Sequence, residues 1–265
     1  MKYQMVVSDV DGTLFESGNK IDADIVRLVD QYHSLGGIFT LATGRMKRAV
    51  EPFIKDLSIR CPLILYNGAQ VIDPVTNETL VSYQLSHELA YTALKLLKQF
   101  PLDTIMHVNQ EPYVQSYSPA ILEHMEKDGI ECKRHDDLIQ LLKDPPTKLL
   151  VIGDPIQLAS FADELKKMVN DDFALVYSDT HYLEILPYHA SKGNALVKLA
   201  QLKGIPISAV IAVGDERNDM TMIQAAGLGV AVANANSDVK QIADRITIGS
   251  FQHGLAEILR EAINS

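Results

Sequence analysis

The stretch Asp9-Val10-Asp11-Gly12-Thr13, one residue after the apolar run Met5-Val6-Val7, limits what this chain can fold into more than any other. A short apolar run closed by turn-forming residues is the pattern of a strand buried on both faces, as in a parallel sheet covered by helices. Its carboxyl end delivers two acids to the rim where open α/β sheets bind ligands. On a continuing strand Asp9 and Asp11 would point the same way, but Gly12 lets the chain turn, so each carboxylate can take a separate task. One can attack a phosphorus atom as nucleophile, while the other, held protonated, gives its proton to a departing alcohol. The plain alternative is a polar strand end before a turn, and the same residue order also occurs in metal-binding loops.

The rest of the chain repeats the first architecture around an interruption. Ile25, Leu28, Val29 and Tyr32 recur at helical spacing, Gly36-Gly37 ends that helix, and a strand over 38–42 follows. This βαβ unit brings Thr43-Gly44, a hydroxyl and a flexible backbone, to the same rim as Asp9. A helix over 46–57 and a strand over 63–66 come next, and Asn67-Gly68 then reads as a hairpin turn. From about Ser86 the pattern changes to a helix followed by paired strands, twice over, which predicts a compact α+β insert. Past it, a helix over 193–202 leads to a strand over 209–213 that ends at Gly214-Asp215 as the first ended at Asp9. Strands over 227–232 and 245–248 and a helix over 255–263 complete the αβ repetition.

Leu41-Ala42-Thr43-Gly44-Arg45, Ser191-Lys192-Gly193 and Gly214-Asp215-Glu216-Arg217-Asn218-Asp219 join the aspartate stretch in a fixed order. Together they resemble the four signature motifs of haloacid dehalogenase-superfamily phosphatases, most of all the Cof-type branch. Tyr66-Asn67-Gly68-Ala69 and Leu183-Glu184-Ile185-Leu186-Pro187 also resemble that branch, so the likeness runs over nearly the whole chain. It implies an α/β fold: a Rossmann-like, doubly wound parallel-sheet core over 1–83 and 189–265, with an inserted α+β cap domain over 84–188. Hinges near 82–84 and 187–190 would let the cap rock as a lid. The implied activity is a Mg²⁺-dependent phosphatase of small phosphorylated metabolites, working through an aspartyl-phosphate.

The residues divide among the tasks that slow phosphate-ester hydrolysis demands. Asp9 is the candidate nucleophile, and Asp11 the acid that later deprotonates the hydrolytic water. Lys192 would bring a cation to the nonbridging oxygens, with Thr43, Gly44 and Asn218 completing the phosphate cradle. Mg²⁺ would take the Asp9 and Asp215 carboxylates and the Asp11 backbone carbonyl. For Asp219 two roles stay open, binding the metal through water or orienting Lys192. The resemblance places Asn67 near the active site, whereas its own chemistry asks only for a turn.

Composition agrees with this reading. Thirty-four acidic against 24 basic residues give a net charge of -10, with no concentrated basic patch, which argues against nucleic acid as a partner. An acidic protein that binds anionic phosphate needs a local cation, and a metal held by the same aspartates supplies one. Cys61 and Cys132 lack metal-ligand spacing and read as reduced thiols, no apolar stretch is long enough to span a membrane, and a cytoplasmic protein is expected. The histidines form no metal pair; His181 and His189, flanking the last strand of the insert, are the ones with a possible view of substrate. The competing readings are a phosphotransferase or phosphomutase, which shares the aspartyl-phosphate, and a non-catalytic regulator that binds a phosphometabolite. The interval between Asp11 and Thr43 has room for one helix and not for the cap that related mutases place there.

Overall fold

The apolar runs ending in Asp9, Thr43 and Asp215 become neighbouring strands of one sheet in the structure, a computed structural model that describes residues 2–16, 20–170 and 172–265. The first segment runs β1 (Met5–Ser8), α1 (Ala23–Ser34), β2 (Ile38–Leu41), α2 (Lys47–Asp56), β3 (Leu63–Leu65), β4 (Gln70–Ile72) and β5 (Thr79–Ser82). The middle segment holds α3 (His87–Leu97), β6 (Asp103–Val108), β7 (Glu111–Val114), α4 (Pro119–Asp128), β8 (Lys133–Arg134), β9 (Lys148–Ile152), α5 (Pro155–Met168), β10 (Phe173–Asp179) and β11 (Tyr182–Pro187). The last contains α6 (Lys192–Lys203), β12 (Val210–Gly214), α7 (Met220–Ala225), β13 (Leu228–Ala231), α8 (Ser237–Ile242), β14 (Arg245–Ile246) and α9 (Phe251–Asn264). The chain divides into two compact units, one of Met1–Arg45, Val50–Val81 and Ser191–Ser265, the other of Met46–Ala49 and Ser82–Ala190.

In the first unit β14, β13, β12, β1 and β2 lie side by side in that order, every pairing parallel. Met5, Val6, Val7 and Val210 to Val213 are wholly buried, as strands covered on both faces must be. Ser8 sits beside Leu41 on one side and Val213 on the other, so the three strands end level and release their next residues at one edge. On α1, Ile25, Leu28, Val29 and Tyr32 are the buried face, and the helix packs against α9. A small separate sheet, β3-β4-β5, follows α2. Its second strand is the partner that the expected hairpin requires, whereas the third escaped sequence reading because Thr79–Ser82 is exposed or half-buried throughout and offers no apolar run.

The second unit is a six-stranded sheet in the order β10-β11-β9-β6-β7-β8, antiparallel except for β7 with β8. Alternation along β9 and β11 divides its side chains between two cores. Leu149, Val151, Leu183 and Ile185 join α3 and α5, while Leu150 and Ile152 join Ile121 of α4. Lys148 and Glu184 are almost entirely buried and pair at 3.0 Å. His181 is exposed with Nδ1 3.1 Å from the Gly153 carbonyl, and His189 lies against the rings of Tyr83 and Tyr188. Among the described residues no helix is long and apolar enough to cross a membrane.

Candidate active site

Asp9 extends the ladder of β1 by one residue, its N–H donating to the Val213 carbonyl at 2.9 Å, before the chain folds back on itself. The Leu14 N–H reaches the Val10 carbonyl at 2.9 Å and the Gly12 N–H reaches the Phe15 carbonyl at 3.0 Å. Gly12 has φ +82°, and a Cβ there would lie 2.1 Å from Asp215 Oδ2. Backbone conformation and close approach therefore both demand glycine. The fold-back separates the two acids of the motif. Asp9 is buried beneath the loop, while the Asp11 side chain stays 41% exposed and pairs with Arg45, Nε to Oδ2 at 2.8 Å and Nη2 to Oδ1 at 2.6 Å.

Lys192 enters from the first turn of α6, where the Ser191 hydroxyl caps the helix by accepting the Asn194 N–H. Wholly buried, its ammonium donates to Asp9 Oδ1 at 2.6 Å and to Asp219 Oδ1 at 2.5 Å. Asp219 Oδ2 accepts the N–H groups of Asp215 at 2.9 Å and Glu216 at 3.1 Å. Asp219 thus fixes the turn after β12 and also holds Lys192. The Thr13 hydroxyl donates to Asp215 Oδ1 at 2.6 Å, and Asp9, Asp215 and Asp219 each place an oxygen within 4.8 Å of the others.

Three buried carboxylates around one buried ammonium leave a surplus of negative charge. Burial, reinforced by the charges of Asp219 and Asp11, raises the Asp9 carboxyl to about 7 against the pull of Lys192. Burial with Asp9 and Asp219 raises Asp215 to about 9 despite the Thr13 hydrogen bond. For Lys192 burial acts downward, but Asp219 and Asp9 outweigh it and the group is held protonated. Hard oxygen donors in surplus charge are what a divalent cation requires, so these residues fit one.

Beside this cluster, Thr43 is buried, its hydroxyl accepting the Arg45 N–H at 3.1 Å, and the half-buried Gly44 follows it. Asn218 Nδ2 donates to Asn67 Oδ1 at 3.0 Å, and Asn218 Oδ1 is buried with no partner among the described residues. The hairpin expected at Asn67 is present, since β3 and β4 pair antiparallel across it. Reading Asn67 as a turn former alone is nevertheless corrected: it is buried at φ 53°, its N–H donates to the Thr43 carbonyl at 2.9 Å, and its side chain meets Asn218. Thr13, Arg45 and Asn234, whose Nδ2 donates to the Gly12 carbonyl at 2.8 Å, were given no role from sequence. Thr13 and Arg45 lie inside the motifs, which marks them for contacts within the site; Asn234 carries no such mark in the sequence.

Comparison with known proteins gives a consistent picture. A family model described as haloacid dehalogenase-like hydrolase matches residues 6–259. Phosphatase YwpJ of Bacillus subtilis is 27% identical over 98% of this chain and 100% of its own length. The 5-amino-6-(5-phospho-D-ribitylamino)uracil phosphatase YwtE of the same organism is 26% identical, over 98% of each chain. The crystal structure of a haloacid dehalogenase-like hydrolase from Bacteroides thetaiotaomicron superposes with a TM-score of 0.89 at 26% identity, covering 98% of this chain and 99% of that one.

Proposed function

Because the chain belongs to the haloacid dehalogenase-like hydrolases, we propose that it is a Mg²⁺-dependent phosphatase of small phosphorylated metabolites that works through an aspartyl-phosphate on Asp9. The observation that carries this reading is the buried Asp9 carboxylate, set at a strand end against Lys192 and within reach of Asp215 and Asp219. With Oδ1 held by Lys192, Asp9 Oδ2 attacks phosphorus and the bond from phosphorus to the alcohol oxygen breaks. Asp11 gives its proton to that oxygen. In the second half Asp11 takes a proton from water, whose oxygen attacks the same phosphorus; the bond to Asp9 breaks, and inorganic phosphate leaves.

Asp9, Asp215 and the Asp11 carbonyl would hold Mg²⁺, which when bound supplies positive charge that offsets the substrate phosphate and the surplus of carboxylates. Lys192 neutralises nonbridging oxygens as charge builds, and Thr43, Gly44 and Asn218 orient the phosphoryl group. Asp219 positions Lys192. The ribityl phosphate in the name of one relative is a small phosphomonoester and supports that substrate class here. Buried free thiols at Cys61 and Cys132 suit a reducing cytoplasm.

The test is phosphate release from a panel of sugar, sugar-alcohol and nucleotide monophosphates, in chelator and after adding Mg²⁺. Turnover of at least one metabolite only with Mg²⁺ is expected. Full activity in excess chelator would remove the metal from the scheme, and no turnover of any ester would overturn the phosphatase reading.

A further inference from the structure

We propose that Asn234 is a positioning residue for the Mg²⁺ site, holding the turn after β1 in place against the turn after β12 while touching neither metal nor substrate. The inference rests on the Mg²⁺-dependent reading above and deepens it. The two turns that would carry the metal leave neighbouring strands, and β13 ends beside β12, with Ala231 paired to Gly214. The segment that leaves β13 grips both turns. The N–H groups of Val232 and Asn236 donate to the carbonyls of Gly214 at 3.2 Å and Asp215 at 2.8 Å, which fixes the second turn from the main chain. Its hold on the first turn is through a side chain, Asn234 Nδ2 donating to the Gly12 carbonyl at 2.8 Å.

Both ends of the Asn234 amide are committed. Oδ1 accepts the N–H of Phe251, at the start of α9, at 2.7 Å. Exchanging nitrogen and oxygen would set donor against donor and acceptor against acceptor, so the amide has one orientation. Its neighbour Ala233 is anchored as well, its N–H 3.1 Å from the Thr247 hydroxyl oxygen and 3.2 Å from the Gly249 carbonyl oxygen. What the bond to Gly12 controls follows from the peptides on either side. The Gly12 carbonyl leads into Thr13, whose hydroxyl holds Asp215 Oδ1 at 2.6 Å, and the preceding peptide carries the Asp11 carbonyl. Asn234 therefore bears on two of the groups assigned to the metal. Glycine has the widest backbone freedom, so this turn gains most from an outside tie, and Asp215 Oδ2 stands 2.1 Å from where a Cβ of Gly12 would lie. Mg²⁺ demands oxygens at about 2.0–2.1 Å in near-octahedral order. Losing a partner that orients a ligand costs about 10- to 100-fold in metal affinity. Asp9 and Lys192 are held separately, by Val213 and Asp219, so the chemistry should survive once the metal is bound.

The experiment is calorimetric titration of metal-free wild type and Asn234→Ala with Mg²⁺, beside thermal melting in chelator and the Mg²⁺ dependence of kcat on a phosphate ester that the wild type turns over. Asn234→Ala should raise the Kd for Mg²⁺ by about 10- to 100-fold, raise the half-saturating Mg²⁺ for turnover by the same factor, and keep kcat at saturating Mg²⁺ within about threefold of wild type. A wild-type Kd would overturn the proposal, a lower Tm in chelator then marking a purely structural bond. So would a kcat still about tenfold or more down at saturating Mg²⁺, which would put the residue in the chemistry. Should Asn234→Ala prove unfolded, Asn234→Ser decides: its short hydroxyl cannot span both partners, so the same direction of change in Kd is expected, and a wild-type Kd would overturn the proposal. A wild type that hydrolyses esters in excess chelator, or hydrolyses none, would instead sink the reading beneath the proposal, and that result needs no variant to be seen.

Discussion

Gly12 and Asp215 compete for one volume, and the site exists because glycine yields it. A methyl at Gly12 would meet Asp215 Oδ2 at 2.1 Å while φ is +82°, so Gly12→Ala has both a clash and a strained backbone to resolve. Loss of about 2–4 kcal/mol of stability is expected in chemical denaturation, with activity falling by more than the folded fraction does, since Asp215 is displaced. Asp9→Asn should behave in the opposite way. Turnover disappears, because the amide keeps the shape and lacks the nucleophilic charge, yet the metal-free protein melts no lower than wild type, since one of three crowded carboxylates has gone. Retained turnover would remove Asp9 as nucleophile. At this scale the acids and Lys192 were legible in the sequence because their spacing follows from strand ends and from motif order. The partner of each was not: Thr13 on Asp215, Arg45 on Asp11 and Asn234 on Gly12 are contacts across long separations that only the fold-back of the loop creates.

The elements themselves were legible where burial is uniform. β1 and β12 announce themselves as apolar runs ended by turn residues, and α1 by its buried stripe. The turn from Tyr66 to Gly68 was legible only in part. Asn-Gly reads as a hairpin, but the conformation has three successive residues at positive φ, and it exists to lay Asn67 against both Thr43 and Asn218. No local pattern reports a turn that serves a distant strand end. Asn67→Ala should therefore act on binding: KM for a phosphate ester rises by about tenfold while kcat changes little, as expected for one lost hydrogen bond that orients Asn218. A kcat collapse at constant KM would place Asn67 in the chemistry instead.

For the whole molecule, the crowded acids couple stability to pH and to metal. Asp9 and Asp215 stand at about 7 and about 9 in the folded metal-free protein against an ordinary 3.8, so the folded state binds more protons than the unfolded state between those values. Their favourable contribution is complete below 3.8 and is lost as pH rises through about 7 and then about 9. In chelator, Tm of the wild type should fall over that range relative to Asp215→Asn, and Mg²⁺ at 100 times its Kd should restore about 2.7 kcal/mol to the wild type alone. An identical pH dependence in the two proteins would mean that the carboxylates are not crowded as described. All these effects converge on one centre, for which the proposed chemistry is transfer of a phosphoryl group from substrate onto Asp9. The most direct measurement is rapid acid quenching of enzyme with Mg²⁺ and substrate, followed by mass spectrometry of the peptide containing Asp9. One phosphoryl group on Asp9, formed before inorganic phosphate is released and absent in Asp9→Asn, is the expected result; steady turnover with no phosphorylated Asp9 at any time, or with the group on another residue, would contradict it.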